Sequence, residues 1–115
     1  MNFIPATGGD DGRSVVFDLG DRQSIPVATA VSPGRKLIAG IRPEHMTISA
    51  EGGRLRVPVA VVESTGSASY ITTATEPELS VVESGRSGVV AGETIGLDFA
   101  PEAVHVFDAE TERRL

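Results

Sequence analysis

Two histidines are the only side chains in the sequence whose ordinary titration falls near neutral pH, since cysteine is absent. Each has a carboxylate nearby: His45 follows Glu44, and Asp108 lies three residues after His105. That pairing suits general acid–base chemistry only if both groups share a face. On an extended chain, side chains one or three positions apart point to opposite faces. A serine hydrolase would also need its nucleophile in a Gly-x-Ser-x-Gly elbow. Gly66-Ser67-Ala68-Ser69-Tyr70 and Gly85-Arg86-Ser87-Gly88-Val89 both lack that spacing. A divalent ion held by His45 and His105 with Glu44, Glu102 or Asp108 is chemically conceivable, but no spacing requires it. Asp10-Asp11 lies in a glycine-rich turn without the alternating acidic ligands and closing Glu of a calcium loop. No catalytic, cofactor-binding or metal-binding residue is assigned.

Phosphate chemistry fails on similar grounds. A nucleotide-binding loop requires Gly-x-x-x-x-Gly-Lys followed by Ser or Thr, so that backbone N–H groups cradle the phosphates and the lysine neutralises them. The single lysine, Lys36, follows Gly34-Arg35 and precedes Leu37. Sixteen Asp and Glu against ten Lys and Arg leave a formal net charge of −6, which argues against nucleic acid because phosphate neutralisation needs a cationic face. Base stacking would call on exposed aromatics. Phe17 and Phe99 fall in phase with aliphatic neighbours and belong to the core, leaving Phe3, Tyr70 and Phe107 as the available rings. No apolar run approaches the 18 or so residues of a membrane span. The expectation is a soluble, cytoplasmic protein.

The elements that would position these residues are strands. Glycine (13) and proline (7) punctuate the 115 residues at short intervals, leaving segments too brief for ordinary helices. Val15 to Leu19, Leu55 to Val61 and Ile95 to Phe99 alternate apolar residues with period two. In the second, Leu55, Val57, Val59 and Val61 should share one face, and Pro58 places the strand at an edge or demands a bulge. Ser69 to Thr73 is rich in β-formers, and further strands are expected over Ser24 to Ala28, Lys36 to Arg42, Met46 to Ser49, Leu79 to Glu83 and Val104 to Phe107. Turns are expected at residues 7–12, 32–34, 51–53, 85–88 and 91–92. A chain of this length predicts a single domain over residues 1–115, all-β, with short antiparallel strands forming a barrel like the oligonucleotide/oligosaccharide-binding (OB) fold.

One internal echo stands out. Ile41-Arg42-Pro43-Glu44-His45-Met46 resembles Phe99-Ala100-Pro101-Glu102-Ala103-Val104-His105. Proline fixes its own φ and forces its predecessor extended, so a shared strand-exit turn explains the echo. Arg42 and Glu44, two apart on an extended segment, could pair for about 0–1 kcal/mol.

Taken together, Ala39-Gly40-Ile41-Arg42-Pro43-Glu44-His45-Met46, Val61 to Tyr70 and Gly92 to Phe99 resemble successive blocks of the transport-associated OB (TOBE) regulatory domain, found in ATP-binding subunits of sugar-importing ABC transporters of the maltose and glycerol-3-phosphate branch. Met1-Asn2-Phe3 and Val104 to Leu115 are similar to the opening and closing segments of that domain. Residues 72–90 depart from its pattern. The resemblance implies a C-terminal fragment of a longer ATPase subunit, with ATP and Mg in a preceding ATP-binding domain and no cofactor here. It further implies a homodimer, contact with the same subunit's ATP-binding domain and through it the membrane permeases, a cytoplasmic regulator, no nucleic acid, and a peripheral place at the inner membrane face. Arg42, Pro43, Glu44, His45, Pro101 and Glu102 are the candidate interaction surface. The rival reading is a barrel sensing a small sugar or oxyanion, with Gly66, Ser67, Ser69 and Tyr70 supplying hydroxyls and backbone N–H groups.

Overall fold

The computed structural model describes residues 1–49, 53–85 and 87–115. Glu51, Gly52 and Arg86, which belong to two of the expected turns, lie outside them. The strands are β1 (Asn2–Gly8), β2 (Ser14–Asp18), β3 (Arg22–Pro26), β4 (Lys36–Ile41), β5 (Thr47–Ser49), β6 (Leu55–Ser64), β7 (Ala68–Thr73), β8 (Ser80–Ser84), β9 (Thr94–Asp98) and β10 (His105–Asp108). The chain is all-β, as its periodicity predicts, and its neighbouring strands pair antiparallel. Among the described residues no helix is long and apolar enough to cross a membrane. Two compact units are formed, one by Met1–Ile41 with Ala100–Leu115 and the other by Arg42–Phe99.

The first unit holds a five-stranded sheet in the order β10-β4-β1-β2-β3. Its buried face is aliphatic with one ring: Ile4, Val15, Phe17, Ile25, Ala39 and Ile41 are fully enclosed. The strands expected from the sequence include every member of this sheet except β1, in which Pro5 takes an exposed position within a regular alternation of buried and less buried residues. A proline inside a sheet forfeits a ladder hydrogen bond. Here β1 meets β2 only from Ala6 to Gly8, so Pro5 lies past the end of that ladder while β4 flanks its other side.

Where β1 ends, the backbone is crossed closely by residues 32–35. Gly8 donates its N–H to the Arg35 carbonyl at 2.9 Å and accepts from the Gly34 N–H at 2.9 Å. A Cβ on Gly8 would overlap the Ser32 carbonyl, a rigid backbone group.

The second unit holds a five-stranded sheet in the order β5-β9-β6-β7-β8. β6 pairs with β9 over Leu55–Pro58 and with β7 over Val59–Ser64, with a register shift between Val59 and Val61. The bulge expected at Pro58 is therefore present, on an interior strand that changes partner there. The Pro58 carbonyl accepts the Ala74 N–H at 2.8 Å. The extra residue alters the strand's facing: Leu55, Val57 and Val59 are buried, but Val61 is 45% exposed, correcting the expectation that all four share a face. Thr73, fully buried, accepts the Leu79 N–H at 2.9 Å and bonds Thr75 Oγ1 at 2.6 Å, and Thr75 donates to the Pro77 carbonyl at 2.7 Å. This hydroxyl chain closes the loop between β7 and β8.

Gly8→Ala should lower stability by about 1–3 kcal/mol, the usual cost of forcing atoms into packed space. Gly88→Ala, at a site with no neighbour within 4 Å, should leave it nearly unchanged. Urea unfolding of the two variants side by side checks this.

Candidate functional site

The two Pro-Glu segments have the same local structure. Arg42 (φ −73°, ψ 139°) and Ala100 (φ −69°, ψ 145°) are extended, as a residue preceding proline must be, and each leads into a single 3-10 turn, Pro43–His45 and Pro101–Ala103. Each turn is closed by the same bond, His45 N–H to Arg42 carbonyl at 3.0 Å and Ala103 N–H to Ala100 carbonyl at 2.9 Å. The echo thus has a backbone cause. The turns also stand at the two places where the chain passes between its units, at 41/42 and 99/100. Arg42, Glu44, His45 and Glu102 are exposed, while Pro43 and Pro101 are half-buried. Arg42 and Glu44 form no ion pair with each other, because the tight turn that begins at Pro43 ends the extended spacing that would have set them side by side.

The Gly66-Ser67-Ser69-Tyr70 set lies at the β6–β7 hairpin. Gly66 sits at the tip with φ +95°, a conformation few other residues accept. Ser69 faces inward and is fully buried. Its hydroxyl donates to the Gly85 carbonyl at 2.8 Å, accepts the Ser87 N–H at 2.9 Å and lies 2.9 Å from Ser64 Oγ. One donor and two lone pairs are thereby filled. Tyr70, on the opposite face, is 49% exposed. Two depressions on this unit, of ≈ 320 and ≈ 430 Å³, are lined by other residues, among them Ser49, Glu83, Ser87 and Glu93 in the first and Val62, Ser64 and Val90 in the second.

The first unit offers a polar groove of ≈ 550 Å³ lined by Thr7, Asp10, Asp11, Ser14, Arg22 and Ser24 among others. Asp11 is tied into its own turn, accepting the Arg13 N–H at 3.0 Å and the Ser14 hydroxyl at 2.8 Å. These two bonds hold its carboxyl below the ordinary carboxylate range. The Asp10-Asp11 pair is a turn device.

Asp108, considered above as a partner for a histidine, serves the chain terminus instead. One carboxylate oxygen accepts the N–H groups of Glu110 (2.8 Å) and Thr111 (2.9 Å). The other accepts Arg35 Nη2 at 2.7 Å and Nε at 3.1 Å. Residues 109–115 then fold back on β10, with the Leu115 N–H on the Val106 carbonyl at 2.9 Å and a bridge between Phe107 and Arg114. The sheet edge is covered. The Thr111 N–H and the Arg35 guanidinium pull the Asp108 carboxyl down to about 2.

The aromatic rings divide as their phase predicts. Phe17 and Phe99 are core, whereas Phe3 is 55% exposed and meets Phe107 edge-on at 6.3 Å between centroids. Met1 and Ile38, which sequence reasoning passed over, join this exposed pair. The available signal was Phe3's position opposite in phase to Ile4 and Ala6.

The chain is all-β, with a five-stranded antiparallel sheet in each of its two units. Residues 39–107 match the TOBE domain family, and residues 1–46 match the MalK OB fold domain. The chain belongs to the TOBE domain family. It is 35% identical over 113 residues to a protein of Brucella abortus described as ATP-binding, covering 96% of this chain and 31% of that protein. It is 31% identical over 118 residues to the sn-glycerol-3-phosphate import ATP-binding protein UgpC of Chromobacterium violaceum, covering 100% of this chain and 32% of that protein. UgpC of Cereibacter sphaeroides is 36% identical over 120 residues, with the same coverage. The chain thus spans about a third of the length of these relatives. Its fold is similar to that of the cytoplasmic molybdate-binding protein ModG, solved with molybdate bound, at a TM-score of 0.63 and 14% identity over 91% of this chain and 94% of that one.

Ser69→Ala would leave the Ser87 N–H and the Gly85 carbonyl without their buried partner and should cost about 1–3 kcal/mol. Ser67→Ala, at the exposed tip, should cost far less, and thermal melts of the two compare them directly.

Because the folded Asp108 carboxyl titrates near 2 against an ordinary 3.8, its contribution to stability is complete above the ordinary value. It declines as pH falls through that window and is absent below the folded value. Asp108→Asn should therefore be less stable than wild type at neutral pH, with the gap closing between pH 3.8 and about 2. Denaturant midpoints measured across that range test it.

Proposed function

We propose that this chain is the regulatory portion of the ATP-binding subunit of an ABC importer, with no chemistry of its own, and that it holds two such subunits together. The reading is carried by the tandem family match: MalK OB fold over residues 1–46 and TOBE over 39–107, aligned with one third of import ATP-binding proteins. ATP and Mg would be bound by the remaining part of the subunit, which would also contact the membrane permeases. The subunit would then sit on the cytoplasmic face of the membrane. A paired rigid module keeps the attached motor domains at high effective concentration, so ATP closes a preassembled dimer. Anything that binds the module in one state more tightly than in the other shifts the equilibrium between those states by its differential affinity, and so biases transport. The Pro43-Glu44-His45 and Pro101-Glu102 turns would receive such a regulator. The relatives' name suggests a small phosphorylated polyol as the cargo class.

A second reading, direct sensing of an oxyanion or sugar, draws on the fold shared with a molybdate-binding protein and on the hydroxyl-lined groove of the first unit.

Light scattering on the ATP-binding subunit, with and without these 115 residues, tests the first reading. Loss of the nucleotide-independent dimer on truncation is expected, and unchanged self-association would overturn it. Calorimetry of the chain against glycerol 3-phosphate, maltose, phosphate, sulfate and molybdate tests the second, for which flat traces throughout would be fatal.

A further inference from the structure

One carboxylate oxygen of the second unit is enclosed without a donor. Glu83 lies opposite Ser69 in the β7–β8 ladder, and residues directly opposite share a face, so its side chain follows the buried Ser69 hydroxyl inward. Its Oε2 is buried and has no hydrogen-bond partner among the described residues. An acceptor taken from water in this way loses its solvation and gains nothing in return. Glu83 also lines the depression of ≈ 320 Å³, together with Ile48 on β5, Ser87 and Val89 in the loop after β8, Glu93, and Ile95 on β9. The loop wall is fixed. Ser87 donates its N–H to the Ser69 hydroxyl at 2.9 Å and accepts the Val89 N–H on Oγ at 3.1 Å, while Glu93 Oε1 accepts the Val90 N–H at 3.2 Å.

We propose that this depression binds a small primary amine, with its ammonium group held by Glu83 and Glu93 and its aliphatic body against Ile48, Val89 and Ile95. Charge selects the class. Two carboxyl side chains line the depression, no Lys or Arg side chain does so among the described residues, and the whole chain carries −6, so an anion is repelled and a cation drawn in. A metal ion is poorly served. The described residues hold no group of three or more His, Cys, Asp or Glu able to bind one, and the aliphatic wall offers nothing to a hydrated ion. An ammonium group brings three N–H donors to acceptors that lack them, and an alkyl chain gains by leaving water for the aliphatic wall. Glu83 can meet it readily: Oε2 surrenders no hydrogen bond when the carboxylate turns about its broad final torsion. The volume lies at the lower end of ligand sites, which confines the occupant to a small molecule. This site differs in place and in charge preference from the groove of the first unit, and it stands independently of both readings above.

Amide NMR titration of the chain with n-butylammonium chloride provides the test, with 1-butanol, butanoate and ammonium chloride as matched probes, each taken to about 10 mM. Butylammonium should shift the amides of Ile48, Glu83, Val89 and Ile95 saturably, and about 0.2 M NaCl should weaken the response by screening. Butanol and butanoate should leave those amides in place. Ammonium chloride, without an alkyl body, should bind about tenfold or more weakly. Glu83→Gln keeps the side chain's size and should weaken butylammonium binding about tenfold or more, as loss of a charged hydrogen-bond partner does. Glu63→Gln, at an exposed carboxylate opposite Tyr70 on the outer face, should leave it unchanged. The comparison of probes on wild type needs no variant. Butanol or butanoate binding as well as butylammonium would overturn the assigned class. Equal sensitivity to Glu63→Gln, or shifts scattered over the acidic turns at Asp10 and Asp18, would reduce the effect to general attraction by an acidic surface and overturn the site. So would the absence of any saturable shift, and none of these results bears on the dimeric or transport reading.

Discussion

A β-strand turns successive side chains to opposite faces, and the β1–β4 ladder makes this alternation govern the whole first unit. Its pairs run from Asn2 with Ile41 to Thr7 with Lys36. Inward, Ile4, Ala6, Leu37, Ala39 and Ile41 close the core. Burial of each larger aliphatic side chain contributes about 1.5–3 kcal/mol, so a slip of one residue would carry the full set into water and is strongly resisted. The outward set is therefore equally fixed. Phe3, Ile38 and the bare Gly40 are held in register by the same hydrogen bonds that bury Ile4 and Ala39. The core and the apolar patch are two consequences of one ladder.

Much of the strand content was legible because half-buried strands write their period into the residue types. Val15 to Leu19 and Ile95 to Phe99 announced themselves, and Phe17 and Phe99 were assignable to the core by phase alone. β1 was not, because Pro5 and the paired glycines at 8 and 9 read as loop; only the early end of the β2 ladder makes the proline tolerable. Pro58 signalled a bulge, but not that Val61 would turn outward. Long-range polar contacts left no trace at all. Arg35 and Asp108 lie 73 positions apart, and Ser69 finds its partners 16 and 18 residues on. No local pattern encodes such pairs, so Asp108 looked free to serve a histidine, and Ser69 to serve a ligand.

The candidate surface at the two Pro-Glu turns was located by an echo that is real in structure yet explained by backbone geometry. Proline at the first turn position has no N–H to lose and holds its φ ready for the bend, and an extended residue must precede it. Any chain that leaves a strand abruptly and starts another profits from that combination. What the residue types did not reveal is where these exits fall. Both coincide with the passages between Met1–Ile41, Arg42–Phe99 and Ala100–Leu115.

The ionisable groups point the same way. Asp11 and Asp108 are held charged by backbone N–H groups and by Ser14 or Arg35, and buried hydroxyls such as those of Ser69 and Thr73 are bonded internally. Groups bound in this way stiffen turns and edges; they are poor proton carriers, because moving a proton would cost the bonds that hold the fold. Turns and edges closed by such bonds hold the shape of the surface around Asp11, Asp108, Ser69 and Thr73.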